Sequence, residues 1–408
     1  MNYGCIGEHL KHSFSKEIHA RLTDYDYEIR EIARDDLVAF MTRGDFRAIN
    51  VTIPYKEAVI PHLYSIDEHA RMIGAVNTIV NRDGRLYGYN TDFYGMSALI
   101  ERLGLSLEGK KVVILGTGGT SKTADAVACA MGAEKILRVS RSGREGAITY
   151  EEMYERHTDA EIMINTTPVG MFPNIEGLAV DVKRFTRLEG VVDAVYNPLR
   201  TPLVREAMRM GVAAEGGLYM LVAQAVRASE IFLGITYPEG TLDRVFGELL
   251  AEKENVVLIG MPASGKSTVG ALLGERLGRK LIDTDGLIVE TAGTEIKEIF
   301  ATMGEAHFRE MEHEAVLRAS AMTSVVIATG GGAILRDDNV DALRANGRLY
   351  FLDRSPDLLM PTDSRPLSSD RDAMMRRYNE RYSRYCSVAD ERIDGDGTPC
   401  EVADKIRK

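Results

Sequence analysis

Residues 259–268 read IGMPASGKST, with the apolar run NVVLI (255–259) leading into the stretch and TVGALLGERLG (268–278) leading out. GMPASGKS (260–267) fits G-x-x-x-x-G-K-[ST] at every fixed position, after a strand-like run and before a helix-like one. The chemistry explains the spacing. Glycines let backbone N–H groups close around phosphate oxygens, and a helix N-terminus adds positive potential. Lys266 is placed to reach the β and γ phosphates, and the Ser267 hydroxyl to ligate Mg²⁺. Gly260, Gly265 and Thr268 complete the nucleotide cradle. Binding of ATP or GTP is predicted here. The loop leaves the phosphate acceptor unnamed.

A second, different nucleotide loop lies more than a hundred residues earlier, in KVVILGTGGTSKTADAVACAMG (111–132). On its own GTGGTS (116–121) is a weak dinucleotide fingerprint, because Ser121 takes the third glycine position of G-x-G-x-x-G. The strand before it and the helix after it add weight, and Gly116, Gly118, Gly119 and Thr120 are the candidate contacts. The next strand, KILRV (135–139), ends in Ser140-Arg141-Ser142 with Arg144 beyond. An NAD site would place an acid there for the ribose 2′-hydroxyl. Two guanidiniums instead favour the 2′-phosphate of NADP. From these residues alone, a βαβ turn without a cofactor stays open.

The 408 residues suggest two to four domains at roughly 100–200 residues each. Apolar content of 45% and charged content of 27% are those of globular proteins. A net charge of −11 gives no basic field for nucleic acid or an anionic membrane, so anionic ligands need local Arg and Lys clusters. Cys5, Cys129, Cys386 and Cys400 are scattered without metal-like spacing and read as reduced thiols of a cytoplasmic protein. MNYGCIGEHLKHSFSK has charge and histidine too early for a signal peptide. LYMLVAQAVRASEIFL (218–233) carries Gln224, Arg227 and Glu230 and reads as a buried helix rather than a membrane span.

Short β-rich runs at 47–53, 111–116, 135–140, 161–167 and 190–196 alternate with helical patterns, which argues for βαβ units and parallel sheets. A turn-rich GITYPEGT (234–241) precedes a polar helix-like segment. A boundary is expected near 238–254, followed by a second α/β block with strands at 324–329 and 348–353.

Between these landmarks lie residues with two readings each. In LIDTDGLIVE (281–290) a strand is expected to end in Asp283 and Asp285, which singly could be a turn. Arg309 in GEAHFREMEHE (304–314) could be a solvated helix charge. VVIATGGGA (325–333) ends a strand in Gly330, Gly331 and Gly332. SRPLSSD (364–370) holds Arg365, and NERYSRYCSVAD (379–390) holds Arg381 and Tyr385. In the first half, HSFS (12–15) offers Ser13 and Ser15, and NVTIPYKEAV (50–59) offers Asn50, Thr52 and Lys56. GAVNT (74–78) offers Asn77, and GYNTDFYG (88–95) offers Asp92. DAVYNPLRTPL (193–203) and GLYMLVAQA (217–225) follow. Alone, Lys56 reads as a surface charge and Asp92 as a helix N-cap.

In this order the motifs are not independent. Residues 1–250 resemble shikimate dehydrogenase, and residues 255–408 resemble shikimate kinase along their whole length. The first resemblance implies a substrate-binding domain over 1–95, completed by 217–250, and a Rossmann-like NADP domain over 96–216. It implies that Ser13 and Ser15 bind the substrate carboxylate, that Thr52, Asn77, Asp92, Tyr196 and Gln224 hold the substrate, and that Lys56 and Asp92 are the catalytic pair. Gly217 would sit at the cofactor. The cofactor loop departs from the family's common Asn-Arg-Thr: Ser140 leads it, and Arg144 follows Arg141 by three. The second resemblance implies a P-loop NTPase-like three-layer α/β domain over 255–408. It implies that Asp285 holds ring hydroxyls and assists proton loss, and that Arg309 and Arg381 clamp the carboxylate. The three glycines would let the backbone approach the ring. Asp283 would organise Mg²⁺, and Arg365 would reach the transferring phosphoryl from a lid. SPDLLMPTDSRPL (355–367) is short for that lid, with Met360 and Pro361 where the family commonly has another arginine. Together the two imply a bifunctional enzyme of chorismate biosynthesis that uses NADPH and then MgATP on 3-dehydroshikimate and shikimate. A quinate-type dehydrogenase joined to another small-molecule kinase, or to a regulatory kinase-like domain, stays open as the alternative.

Overall fold

Val112–Leu115, Ile162–Ile164 and Val191–Val192 are buried at every position. Strands covered on both faces by helices need continuous apolar runs of this kind. The computed structural model describes residues 1–8, 10, 14–144, 146–359 and 371–406, and of Ala373 only the backbone. Ser13 and Arg365 lie outside the described residues. The chain divides into two units, Met1–Leu250 and Ala251–Lys408.

The first unit holds two sheets. One contains β1 (Tyr3–Gly7), β2 (Tyr27–Glu31), β3 (Ala48–Val51), β4 (Ser65–Ile66), β5 (Thr78–Arg82) and β6 (Arg85–Tyr89) in the order β2-β1-β3-β5-β6-β4. It is mixed: β1 runs parallel to β2 and β3, while β5 runs antiparallel to β3 and β6. The other contains β7 (Lys111–Leu115), β8 (Lys135–Val139), β9 (Ile162–Asn165), β10 (Gly190–Asp193) and β11 (Ala213–Glu215) in the order β11-β10-β9-β7-β8, all parallel. This is the 2-1-3-4-5 doubly wound order rather than the 3-2-1-4-5-6 order of two full dinucleotide-binding halves. β8 and β9 flank β7 on opposite sides, so the glycine turn after β7 opens at the strand-order reversal, where such sheets bind ligands.

Helix Thr91–Arg102 buries Met96, Leu99 and Ile100 in one cluster with Val222 and Val226 of helix Leu218–Leu233 and Val245 and Leu249 of helix Thr241–Lys253. The first two helices cross at Gly95, where a Cβ would lie 2.6 Å from the Met220 carbonyl oxygen. Gly234, left-handed at φ 67°, ends the long apolar helix. Among the described residues no helix is long and apolar enough to cross a membrane.

The second unit holds one parallel sheet of β12 (Asn255–Ile259), β13 (Leu281–Asp283), β14 (Val326–Ala328), β15 (Gly347–Asp353) and β16 (Glu391–Asp394), ordered β13-β14-β12-β15-β16. Helices Lys266–Leu277, Ile296–Ser320 and Arg371–Val388 belong to this unit. The second of these bends at Gly304, whose φ of 81° and ψ of 171° break the helical path.

Candidate active sites

In the first unit, β3, the start of helix Thr91–Arg102 and helix Leu218–Leu233 surround a cleft of about 710 Å³. Ser15, Thr52, Lys56, Asn77, Asp92, Thr120, Tyr196, Gly217 and Gln224 all line it. Residues from many parts of the sequence therefore meet in one cavity. Asn90 caps helix Thr91–Arg102 by accepting from the Phe93 N–H at 3.3 Å. The capping role that Asp92 could have taken is therefore filled by its neighbour. The Asp92 carboxylate is left to pair with Lys56, Nζ to Oδ2 at 2.6 Å, with both side chains partly exposed to the cleft. Asn77 is fixed on its other side: its Oδ1 accepts from the Thr91 N–H at 2.8 Å, and its Nδ2 donates to Thr91 Oγ1 at 3.1 Å. Gln224 Nε2 donates to the Leu221 carbonyl one turn back. Ser15 is the first residue of helix Ser15–Leu22.

Two further residues shape this cleft: Asn50, which the sequence offered without a role, and Asp193, which it did not single out. Asn50 lines it, accepts from the Tyr27 hydroxyl at 2.7 Å and donates to Thr78 Oγ1 at 3.1 Å. Asp193, fully buried at the end of β10, accepts from Asn165 Nδ2, the Val195 N–H and Thr201 Oγ1. These bonds fix the path that carries Ala194 and Tyr196 into the cleft. Burial pushes the Asp193 carboxyl up to about 6, against the pull of its three donors. Burial likewise raises the Tyr196 phenol and takes the Cys5 thiol to about 12, so neither is a ready proton donor or nucleophile at neutral pH.

The cofactor turn has its own geometry. Gly116, at φ 107°, faces Thr166, whose Oγ1 would lie 2.7 Å from a Cβ there. A Cβ at Gly118 or Gly119 would meet nothing within 4 Å, so the N-terminus of helix Gly119–Ala130 opens onto free space, the setting in which helix N-termini bind phosphate groups. Ser121 is buried and donates to the Gly116 carbonyl at 2.8 Å, bracing the turn from the position where the fingerprint has glycine. Arg141 and Arg144 are exposed just past β8. Ser140 accepts from the Gly143 N–H at 3.1 Å and so shapes the arginine-bearing turn. This donor set fits a 2′-phosphorylated dinucleotide.

In the second unit the P-loop leaves β12 at the middle of the sheet. Lys266 is 5% exposed, and its ammonium donates to the Gly260 and Met261 carbonyls at 2.9 and 2.8 Å. Ser267 and Thr268 are exposed on the first turn of the following helix. The Asp283–Asp285 expectation needs correction. The strand ends at Asp283, and Asp285 stands in the first turn of helix Thr284–Ala292. Asp283 is the N-cap: its Oδ1 accepts from the Asp285 and Gly286 N–H groups. Cap chemistry terminates the strand earlier than its apolar pattern suggests. The other oxygen, Oδ2, accepts from Ser267 Oγ at 2.6 Å. A hydroxyl and a carboxylate side by side at the P-loop suit Mg²⁺, which takes few protein ligands and keeps its waters.

Asp285 faces Gly330, the first of the three glycines. A Cβ at Gly330 would come 2.6 Å from Asp285 Oδ1 and 2.8 Å from Glu312 Oε1, and one at Gly332 would strike the Arg309 guanidinium. A side chain at either position would displace these charged groups. Arg309 donates to Glu312 Oε2 at 2.7 Å and Glu305 Oε1 at 2.8 Å. Glu312, buried, stands three residues after Arg309 in FREME (308–312), an FRxxE spacing whose last acid the sequence left without a role. Burial raises its carboxyl, Arg309 opposes the rise, and neighbouring Asp285 adds to it. Arg381 Nη1 donates to the Gly331 carbonyl at 3.2 Å, and the buried Tyr385 hydroxyl reaches the carbonyls of Gly331 at 2.6 Å and Gly260 at 3.0 Å. Tyr385 thus ties the glycine run to the P-loop.

Comparison with known proteins matches these two constructions. Residues 5–79 match the shikimate dehydrogenase substrate binding domain family, and residues 262–408 match the shikimate kinase family. The chain is 37% identical over 265 residues to shikimate dehydrogenase (NADP(+)) of Clostridium perfringens, a match spanning 60% of this chain and 97% of that one. Among solved structures, a chorismate mutase/shikimate 5-dehydrogenase fusion protein from Clostridium acetobutylicum superposes with a TM-score of 0.58 at 33% identity, over 60% of this chain and 96% of that one. Shikimate 5-dehydrogenase from Thermus thermophilus, solved with NADP(H) and shikimate, superposes with a TM-score of 0.55 at 27% identity, over 61% and 99%. The chain belongs to the shikimate dehydrogenase family and carries a shikimate kinase domain in the same polypeptide.

Proposed function

We propose that this chain catalyses two consecutive reactions in the cytoplasm: NADPH-dependent reduction of 3-dehydroshikimate to shikimate, then ATP-dependent phosphorylation of shikimate at its 3-hydroxyl. The observation that carries this reading is the presence in one polypeptide of a Lys56–Asp92 pair in an open cleft and a P-loop beside Asp285, Arg309 and Arg381. Four free cysteines fit a reducing compartment.

In the first site Ser13, Ser15 and Tyr196 hold the substrate carboxylate, while Thr52, Asn77, Asp92 and Gln224 take the ring oxygens. Bound NADPH supplies the hydride. Lys56 meets the negative charge that then develops on the ketone oxygen and gives it a proton, and Asp92 fixes the ammonium in position. Gly116, Gly118, Gly119, Thr120 and Gly217 allow the cofactor close approach, with Arg141 and Arg144 on its 2′-phosphate. In the second site Arg309 and Arg381 bind the carboxylate of shikimate, a task for planar forks rather than point charges. Asp285 orients the attacking hydroxyl and accepts its proton. Lys266 and Arg365 neutralise the transferring phosphoryl, and Ser267 with Asp283 serves Mg²⁺. Phosphoryl transfer needs this positioning and charge neutralisation more than covalent help.

Mass analysis of products from pure protein tests the reading. With 3-dehydroshikimate and NADPH alone, shikimate is expected; adding MgATP should convert it to shikimate 3-phosphate. Shikimate that persists with MgATP present points to a regulatory second unit. Turnover of quinate in preference to shikimate points to the other dehydrogenase class.

A further inference from the structure

β12, β15 and β16 are adjacent and parallel, so the P-loop, the start of the segment after β15 and the turn after β16 emerge side by side. Arg354 is the first residue past β15. Its Nη1 lies 3.8 Å from the position of a Cβ on Gly265, the P-loop glycine that opens helix Lys266–Leu277. The two flanking acids are committed elsewhere. Asp353 Oδ2 accepts from Arg392 Nε at 2.6 Å and from the Tyr382 hydroxyl at 3.2 Å. Asp396, in the turn after β16, accepts from the Ser355 N–H at 2.8 Å and from the Ser355 hydroxyl. Arg354 Nε is buried and has no acceptor among the described residues. A donor left this way is costly unless a ligand or an ordered water supplies its acceptor. The Asp396–Ser355 bonds hold the residue after the arginine, and the Gly395 N–H donates to the carbonyl of Asp353, the residue before it, at 2.8 Å, so the guanidinium is presented to the P-loop by a fixed frame.

We propose that Arg354 is a nucleotide-binding residue of the second site, contacting a phosphate oxygen of the bound nucleoside triphosphate on the Gly265 side of the loop. The inference rests on the kinase reading for the ligand's identity, but its geometry belongs to the P-loop alone. Nη1, the guanidinium atom nearest Gly265, would donate to that oxygen, and the charge adds to that of Lys266.

Calorimetric titration of the full-length protein with MgATP and with MgADP, in the wild type, Arg354→Met and Arg354→Lys, tests it without requiring turnover. The expected result is a roughly tenfold weaker Kd for both nucleotides in Arg354→Met, the size of one lost charge-assisted hydrogen bond. Arg354→Lys should recover part of it. In the kinase assay the KM for ATP should rise while the KM for shikimate holds, a split that a merely structural role would not give. Unchanged nucleotide Kd in Arg354→Met, or a rise in both KM values with a lowered unfolding midpoint, would overturn the proposal. A wild type that binds MgATP tightly yet never phosphorylates shikimate would sink the kinase reading and leave the Arg354 test intact.

Discussion

The two candidate sites handle their central lysines in opposite ways. Lys56 stands at the wall of an open cleft, already paired with its carboxylate. Lys266 is buried and turns back onto the carbonyls of its own loop. A buried ammonium must have acceptors, and the loop's carbonyls supply them. In the same unit Arg309 is held by Glu305 and Glu312. One chain thus carries a lysine paired with a carboxylate and a lysine held by backbone carbonyls.

The largest effects should separate these sites cleanly. Lys266→Ala should lower phosphorylation by roughly a thousandfold, in the range of losing one preorganised transition-state donor, with the reduction rate unchanged. Lys56→Ala should lower reduction by roughly a hundred- to ten-thousandfold and leave phosphorylation of supplied shikimate intact. Separate initial rates from NADPH absorbance and from ADP release check both. If either variant depressed both rates, the two sites would not be the independent constructions described.

Buried titratable groups sharpen the contrast at the level of stability. In the second unit buried Glu312 has Arg309 as a counter-charge. In the first, His19 and Asp193 are buried without one. His19 stacks on Tyr27 and meets the Tyr25 hydroxyl at 2.5 Å, and burial takes its imidazole down to about 3. Between about pH 4 and 6 an unfolded His19 binds a proton that the folded one refuses, so its contribution to stability rises with pH. Asp193 does the reverse. Its folded carboxyl keeps a proton up to about 6 that the unfolded one releases near 3.8, so its contribution falls as pH rises through that window. At about 1.4 kcal/mol per pH unit the two slopes offset each other. Asp193→Asn should therefore make the first unit gain up to about 3 kcal/mol more than wild type between pH 4 and 6. Unfolding followed through loss of reductase activity at several pH values measures this, and parallel curves for variant and wild type would refute the assignment.

A smaller effect is expected at the cofactor's far end. Arg141 is exposed, so its charge on a 2′-phosphate is partly screened. Arg141→Ala should raise the KM for NADPH about tenfold and change the rate with NADH little. A loss of equal size with both cofactors would move Arg141 out of the 2′-phosphate contact.

Much of both sites was legible because the decisive residues are tied to local pattern. A P-loop, a glycine turn after an apolar strand and the FRxxE spacing each fix short-range geometry, and geometry of that kind survives folding. The pairing of Lys56 with Asp92 followed from the motifs taken together and not from either alone, since each singly had a bland reading. What stayed hidden depends on contacts between distant parts of the chain. Asn50 was offered by the sequence, but not its fixing by Tyr27 and Thr78, and Asp193, which braces the path to Tyr196 through Asn165 and Thr201, was not singled out at all. Tyr385 joined two loops that are far apart in sequence. The Asp285 misplacement had a local cause: an Asp at the end of an apolar strand can stop the strand by capping the next helix, and the LIDTD pattern does not say which acid does so.

Ser121 offers the finest test of how far a motif can drift and keep its geometry. A serine at the third glycine position weakened the fingerprint in the sequence, yet its hydroxyl donates to the carbonyl of the first glycine and closes the turn. A glycine there would allow close packing but supply no such bond. Ser121→Ala removes the donor, keeps the helix and leaves the Gly116 carbonyl without this partner. It should lower stability by about 1 kcal/mol and raise the KM for NADPH by less than about threefold, because the open N–H groups of the helix remain. Ser121→Gly loses the same bond and adds a flexible residue to the first helical turn, so it should be no better than Ser121→Ala in thermal unfolding and in NADPH titration. If Ser121→Gly instead bound NADPH more tightly than wild type, the serine would be a compromise in this chain. If both variants fall below wild type, the hydroxyl has taken over the bracing of the turn, and the departure from the fingerprint is a second solution to the same geometric demand.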